Sequence, residues 1–141
     1  MKYYAVIDTN VLVSAMLKWE SVPGSIINLT FDGIIIPLFN KKILHEYRLV
    51  LSRPKFGLSV EIVEDIINSI EKKGINVDET PLEIELPDPS DKVFFEVVME
   101  ERKKEDAYLV TGNMKHFPIK PFIVTPRQML DIVLNTPDLF D

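Results

Sequence analysis

The chain has 141 residues, 46% hydrophobic and 27% charged, which suits one domain able to bury a core without covalent staples. It has no cysteine, which excludes disulfide scaffolds, thiolate zinc sites, iron–sulfur clusters and a catalytic thiol, and two histidines disfavour a poly-histidine centre. Oxygen is the ligand class that remains, and a net charge of -6, from 22 Asp and Glu against 16 Lys and Arg, excludes phosphate binding by bulk charge alone.

Tyr3–Ile7 reads as a strand that runs directly into Asp8, without the apolar stretch or small-residue cleavage site of a secretory leader. No apolar run approaches the ~20 residues that cross a bilayer, so a cytoplasmic protein away from membranes is expected. Asp8-Thr9-Asn10 opens a helix carrying Val11, Leu12, Ala15 and Met16 at helical spacing. Pro23-Gly24 reads as a break, Ser25–Phe31 as a short helix ending at Asp32-Gly33, and Ile34–Ile36 as a buried strand closed by Pro37.

From Asn40 a helix runs to about Leu51 with Ile43, Tyr47 and Val50 on one stripe, and the stretch from Arg53 to Gly57 ends it. Ser59 caps the next helix, whose Val63, Ile66, Ile67 and Ile70 fit the 3.6-residue period until Gly74. Residues 75–87 read as extended. Asp88-Pro89-Ser90-Asp91 opens a helix with Val93, Phe94, Val97 and Val98 inward. Ala107–Thr111 and Phe122–Thr125 read as strands, and Pro126 begins a last helix with Met129, Leu130 and Val133. Strands alternating with helices predict an α/β fold, a parallel sheet covered on both faces, in a single domain over 1–141 without internal repeats.

Ligands of open parallel sheets bind at the carboxyl ends of the strands. Asp8 ends the first strand and Asn113 follows a later one; each also fits a local role, Asp8 as a helix N-cap and Asn113 as a turn residue after Gly112. Glu46 lies three residues after Ile43 and Asp91 three before Phe94, so both sit at the inward edge of their helices, where a carboxylate either reaches solvent or joins a cluster. Asp88-Pro89-Ser90-Asp91 also has the form of a helix start, with Asp88 as cap and Asp91 at the third position, which leaves Asp91 able to point at a site. Two carboxylates about 4 Å apart repel by roughly 4 kcal/mol at an effective dielectric near 20, so a convergent cluster needs a positive centre. Mg²⁺ or Mn²⁺ answers that need, because hard cations prefer carboxylate oxygen.

Val6-Ile7-Asp8-Thr9-Asn10-Val11-Leu12, Glu46-Tyr47, Asp88-Pro89-Ser90-Asp91 and Leu109-Val110-Thr111-Gly112-Asn113 stand in the order and spacing of PIN domains. Together with Thr111–Pro118 they make the chain resemble, from Tyr3 to about Val133, the VapC-type ribonucleases that act as toxins of toxin–antitoxin pairs. The resemblance implies a PIN-like three-layer α/β/α sandwich with a mostly parallel sheet, and divalent-metal-dependent cleavage of RNA. It implies that Asp8 and Asp91 bind the metal directly and that Glu46 binds it through water or orients the nucleophile. Asn113 falls where many members carry a fourth acid, so a second ion is held weakly or not at all, and Asn113 is left to position a water or the substrate phosphate. Thr9, Asn10 and Thr111 fall on polar positions lining the site in relatives.

A cognate antitoxin protein and a homodimer are the partners the family implies, with Trp19 and the Met16–Leu17 region as candidate contacts. Lys41, Lys42, Arg48, Arg53, Lys55, Lys115 and His116 are the candidates for drawing RNA to an acidic chain, Lys115-His116 foremost because it follows directly from the site. His116 reads as a surface loop residue or as a general acid. The alternative function is a PIN-fold RNA- or protein-binding module with weak or lost catalysis. A receiver-type phosphoacceptor fails because Thr9 follows Asp8, Ile34–Ile36 ends without Asp, and the late strand ends Thr125-Pro126. A haloacid-dehalogenase-type phosphatase fails because Asn10 stands where a second Asp is required.

Overall fold

The computed structural model describes residues 2–135. Five strands form one sheet, β1 (Tyr3–Ile7), β2 (Ile35–Phe39), β3 (Ile75–Asn76), β4 (Ala107–Val110) and β5 (Ile123–Val124), in the order β3-β2-β1-β4-β5. Every pairing is parallel; Val6 stands opposite Leu38 on one side and Leu109 on the other. Six helices flank the sheet: α1 (Thr9–Leu17), α2 (Val22–Phe31), α3 (Lys41–Leu51), α4 (Val60–Lys73), α5 (Lys92–Glu101) and α6 (Pro126–Leu134). α5 lies across β1, β2 and β4, whereas α2 and α4 pack on β2, giving the expected α/β sandwich. Central strands covered on both faces need apolar residues at consecutive positions, which is why Ala5, Val6 and Ile7 are all buried.

Boundaries differ from the sequence expectation at Pro23, Pro37 and Pro89, the last because a 3₁₀ turn over Pro89–Asp91 precedes the helix that begins at Lys92. Pro23-Gly24 lies inside the first turn of α2, which starts at Val22 behind the N-cap Ser21, whose side chain accepts from Gly24 N at 3.1 Å. Proline fits there because the first amides of a helix have no intrahelical acceptor. Gly24 is required by a close approach, since a Cβ would stand 1.8 Å from the carbonyl oxygen of Trp19. The helix ends at Phe31 and is closed beyond its C-cap Asp32 by Gly33 (φ +79°) in a Schellman arrangement, Gly33 N to Thr30 O and Ile34 N to Leu29 O.

Pro37 does not close β2 but sits within it, opposite Ala5. Alternation turns residues 37 and 39 toward β3, as the bond from Val77 N to Phe39 O shows, and β3 pairs only from Leu38 onward. The missing amide therefore falls where the ladder has not begun.

After β3 the chain runs without regular structure to a single 3₁₀ turn at Pro89–Asp91, which precedes α5. Glu96 on α5 holds this stretch by accepting from Leu82 N at 2.7 Å. That contact helps return Asp88 and Asp91 to the same sheet edge as Asp8. Among the described residues no helix is long and apolar enough to cross a membrane.

Candidate active site at the carboxyl edge of the sheet

In this strand order the winding reverses between β1 and β4, because β1 leads to β2 on one side while β4 leads to β5 on the other. Such a reversal opens a crevice at the carboxyl ends of the two strands. Asp8 and Thr111 occupy it, each directly after its strand. Asp8 takes the N-cap place of α1 but makes no capping hydrogen bond. Its Oδ2 instead accepts from Thr111 Oγ1 at 2.7 Å and from Asn10 Nδ2 at 3.2 Å.

The same two donors close a wider network. Asn10 Oδ1 accepts from Gly112 N at 3.1 Å, and Thr111 Oγ1 accepts from Asn113 N at 2.9 Å. Asp8 is thus fixed in one orientation by partners from both sides of the crevice. From α3, Tyr47 is buried and donates its hydroxyl to the carbonyl of Ile7, the residue preceding Asp8. That bond locks α3 against the top of β1 and brings the neighbouring Glu46 to the site, where Glu46 Oε2 lies 3.5 Å from Thr9 Oγ1.

Asp88 caps the 3₁₀ turn with Oδ1, accepting from Ser90 N at 3.0 Å and Ser90 Oγ at 2.8 Å. Asp91 is thereby free of the cap and buried, with His116 Nδ1 2.9 Å from its Oδ2. Asp8, Glu46, Asp88 and Asp91 line one cavity of about 390 Å³, with His116 and Asn113 also in its wall. Arg53, Val50 and Phe56 form another part of that wall.

Burial pushes the Asp8 carboxyl up to about 6; the Thr111 hydrogen bond opposes the rise and the charge of Asp91 adds to it. Burial also raises Asp91, against the hydrogen bond from His116. Asp88 moves the other way, below the usual carboxylate range, because Ser90 donates to it twice. Among the described residues no basic side chain bonds to Asp8; its charge is offset by hydrogen bonds and, more weakly, by His116 at a distance. An oxygen-rich donor set of this kind fits a hard divalent cation. Asp88, Asp91 and His116 also bring one ligand atom each within 4.8 Å of one another, so Asp91 is shared between that group and the Asp8 side of the cavity.

Of the residues singled out in sequence, Asp8, Thr9, Asn10, Glu46, Asp91 and Asn113 line the cavity, and Thr111 supports it from beneath. Lys115 is exposed and is not among the lining residues. Lys42 and Arg48 are engaged with Glu79 and Glu64, while Lys55 stands over the ring of Phe56. Arg53 is the basic residue the cavity includes. His116, a candidate in sequence beside the site, also lines the cavity, but its pairing with Asp91 was not foreseen, and neither Asp88 nor Tyr47 was assigned a part in the site. The hydroxyl of Tyr47 on an otherwise apolar stripe was the available signal for one of them.

The family model described as PIN domain matches residues 4–115, a span that holds every carboxylate of the cavity. No curated protein and no solved structure gives a significant match. The chain belongs to the PIN-domain family, whose members are in general metal-dependent nucleases.

Proposed function

We propose that this PIN-domain chain is a ribonuclease that hydrolyses RNA phosphodiester bonds with Mg²⁺ or Mn²⁺, acting as the toxin of a toxin–antitoxin pair. The observation that carries the hydrolytic reading is Asp8. It is a buried carboxylate that forgoes its cap, is oriented by Thr111 and Asn10, and shares one cavity with Glu46 and Asp91. Burial makes ionising it costly, and preorganised charge of that kind is what electrostatic catalysis uses.

Asp8 and Asp91 would hold the cation, with Glu46 completing the acidic wall. A bound divalent cation supplies compensating charge, makes water a better nucleophile and stabilises charge developing on the phosphate. Glu46 orients the attacking water and accepts a hydrogen bond from it. Thr111 and Asn10 keep Asp8 in its orientation, and His116 does the same for Asp91. Arg53 offers the entering phosphate a positive group at the cavity wall.

The choice of RNA, the toxin role, a cognate antitoxin and a homodimer rest on the resemblance to VapC-type ribonucleases. The test is incubation of purified protein with a mixed RNA pool and Mn²⁺. Cleavage that EDTA, Asp8→Asn and Glu46→Gln each abolish supports the reading. RNA binding without cleavage favours a PIN-fold binding module instead, a reading that Asn113 in place of an acid keeps open. For the toxin role, induced expression should arrest growth and Asp8→Asn should relieve the arrest; growth unaffected by the native chain contradicts it.

A further inference from the structure

Beside the acidic cavity lies a second one of about 270 Å³, and the two share Asn10, Ser14 and Asn113 as a common wall. The remaining lining of the second cavity is Val11, Pro23, Gly112 and Pro126, so it contains no charged side chain. A nucleic-acid strand alternates a charged phosphodiester with a neutral nucleoside, and these adjoining cavities alternate in the same sense.

The hydrogen-bond inventory of the shared wall separates structural from available groups. The carboxamide of Asn10 is committed at both ends, to Asp8 Oδ2 and to Gly112 N. The backbone amide of Asn113 is committed to Thr111 Oγ1, but its carboxamide has no hydrogen-bond partner among the described residues, and neither has the hydroxyl of Ser14. A free carboxamide offers two donors and an acceptor, the set that pairs with base edges. Pro23 and Pro126 supply apolar surface against which a flat ring packs.

We propose that the neutral cavity is a nucleoside subsite, taking the base and ribose next to the phosphate that lies over the acids, with Asn113 and Ser14 at its polar edge. The proposal rests on the phosphodiester reading of the acidic cavity and adds where the substrate's neutral part goes. It also gives Asn113 a task that an acid at that position would perform poorly, because a carboxylate has no donor.

The test follows backbone amide shifts of ¹⁵N-labelled protein titrated with the four nucleoside 5′-monophosphates, with ribose 5-phosphate and with uncharged adenosine, all in Mg²⁺. Nucleotides and adenosine should move Ser14, Gly112 and Asn113, and ribose 5-phosphate, which carries no base, should move them much less. Pro126→Trp and Ser14→Phe each put a ring at the cavity from a position that is not buried, and should weaken nucleotide binding at least roughly tenfold. Shifts at Asp8 and Asp91 caused by Mg²⁺ alone should persist in both variants. Equal effect of ribose 5-phosphate, or nucleotide affinity unchanged in both variants, overturns the subsite. Failure of Mg²⁺ to move Asp8 and Asp91 in the native chain overturns the cation reading instead, and the adenosine arm still decides the subsite by itself.

Discussion

At the carboxyl ends of β1 and β2 the chain passes from strand to helix through one polar residue, Asp8 in the first case and Asn40 in the second. Asn40 settles locally. It accepts from Ile43 N at 2.9 Å, donates to Glu79 Oε1 at 3.2 Å, and Lys42 then neutralises Glu79 at 2.6 Å. Asp8 makes no such cap and takes its shortest hydrogen bond from Thr111, 103 residues away in sequence. A helix cap contributes about 1 kcal/mol, and the first corner gives that up while burying a charge. The contrast locates function where local satisfaction is surrendered and tertiary partners hold the residue in place.

The largest effect that would break this contrast comes from Asp8→Asn. Cleavage should fall by about 10²–10³-fold, the range seen when an electrostatic contact to a reacting centre is lost. Stability of the metal-free protein should move the other way. The folded pKa of about 6 exceeds the reference 3.8, so the fold holds this proton more tightly than the unfolded chain does. The contribution of Asp8 is therefore fully present below pH 3.8 and is lost as pH rises through about 6, an amount of about 3 kcal/mol. At pH 7 the asparagine variant should unfold at higher denaturant than the native chain, and added Mg²⁺ should stabilise only the native chain. A destabilised variant at pH 7 would show that Asp8 is a structural residue after all.

Asn40→Ala sharpens the comparison from the other side. It should cost about 1–2 kcal/mol in denaturant unfolding, since a buried cap and its second bond are lost together. Mg²⁺ affinity measured by calorimetry should be unchanged. Tyr47→Phe should cost about 1 kcal/mol and lower kcat more than it changes the substrate KM, because it loosens α3, and Glu46 with it, against β1. Smallest of all, Lys42→Gln removes the exposed partner of Glu79, whose own side chain is mostly covered, and should lower Tm only slightly and leave cleavage as it was.

The strand and helix order was legible because central strands are uniformly apolar and α3 and α4 carry clear periodic stripes. Asp8, Glu46 and Asp91 were legible as candidates because strand ends and inward helix edges are local properties. The prolines misled for a stated reason: whether Pro23 starts a helix and whether Pro37 fits a strand depend on Trp19 and on where β3 begins, both outside a local window. The pairing of His116 with Asp91 joins segments 25 residues apart across the crevice, and no spacing rule connects them. The neutral cavity is likewise assembled from α1, α2, the turn after β4 and α6, so it exists only once those elements have packed.

The central claim, that Asp8 forgoes its cap and is buried to hold a divalent cation, is tested most directly by the ¹³C carboxyl titration of Asp8 with and without Mg²⁺. Without the ion the midpoint should lie at about 6. With Mg²⁺ it should move down, because the cation replaces the missing positive charge and favours the carboxylate. A midpoint in the ordinary Asp range without the ion, or one that Mg²⁺ leaves in place, would contradict the account.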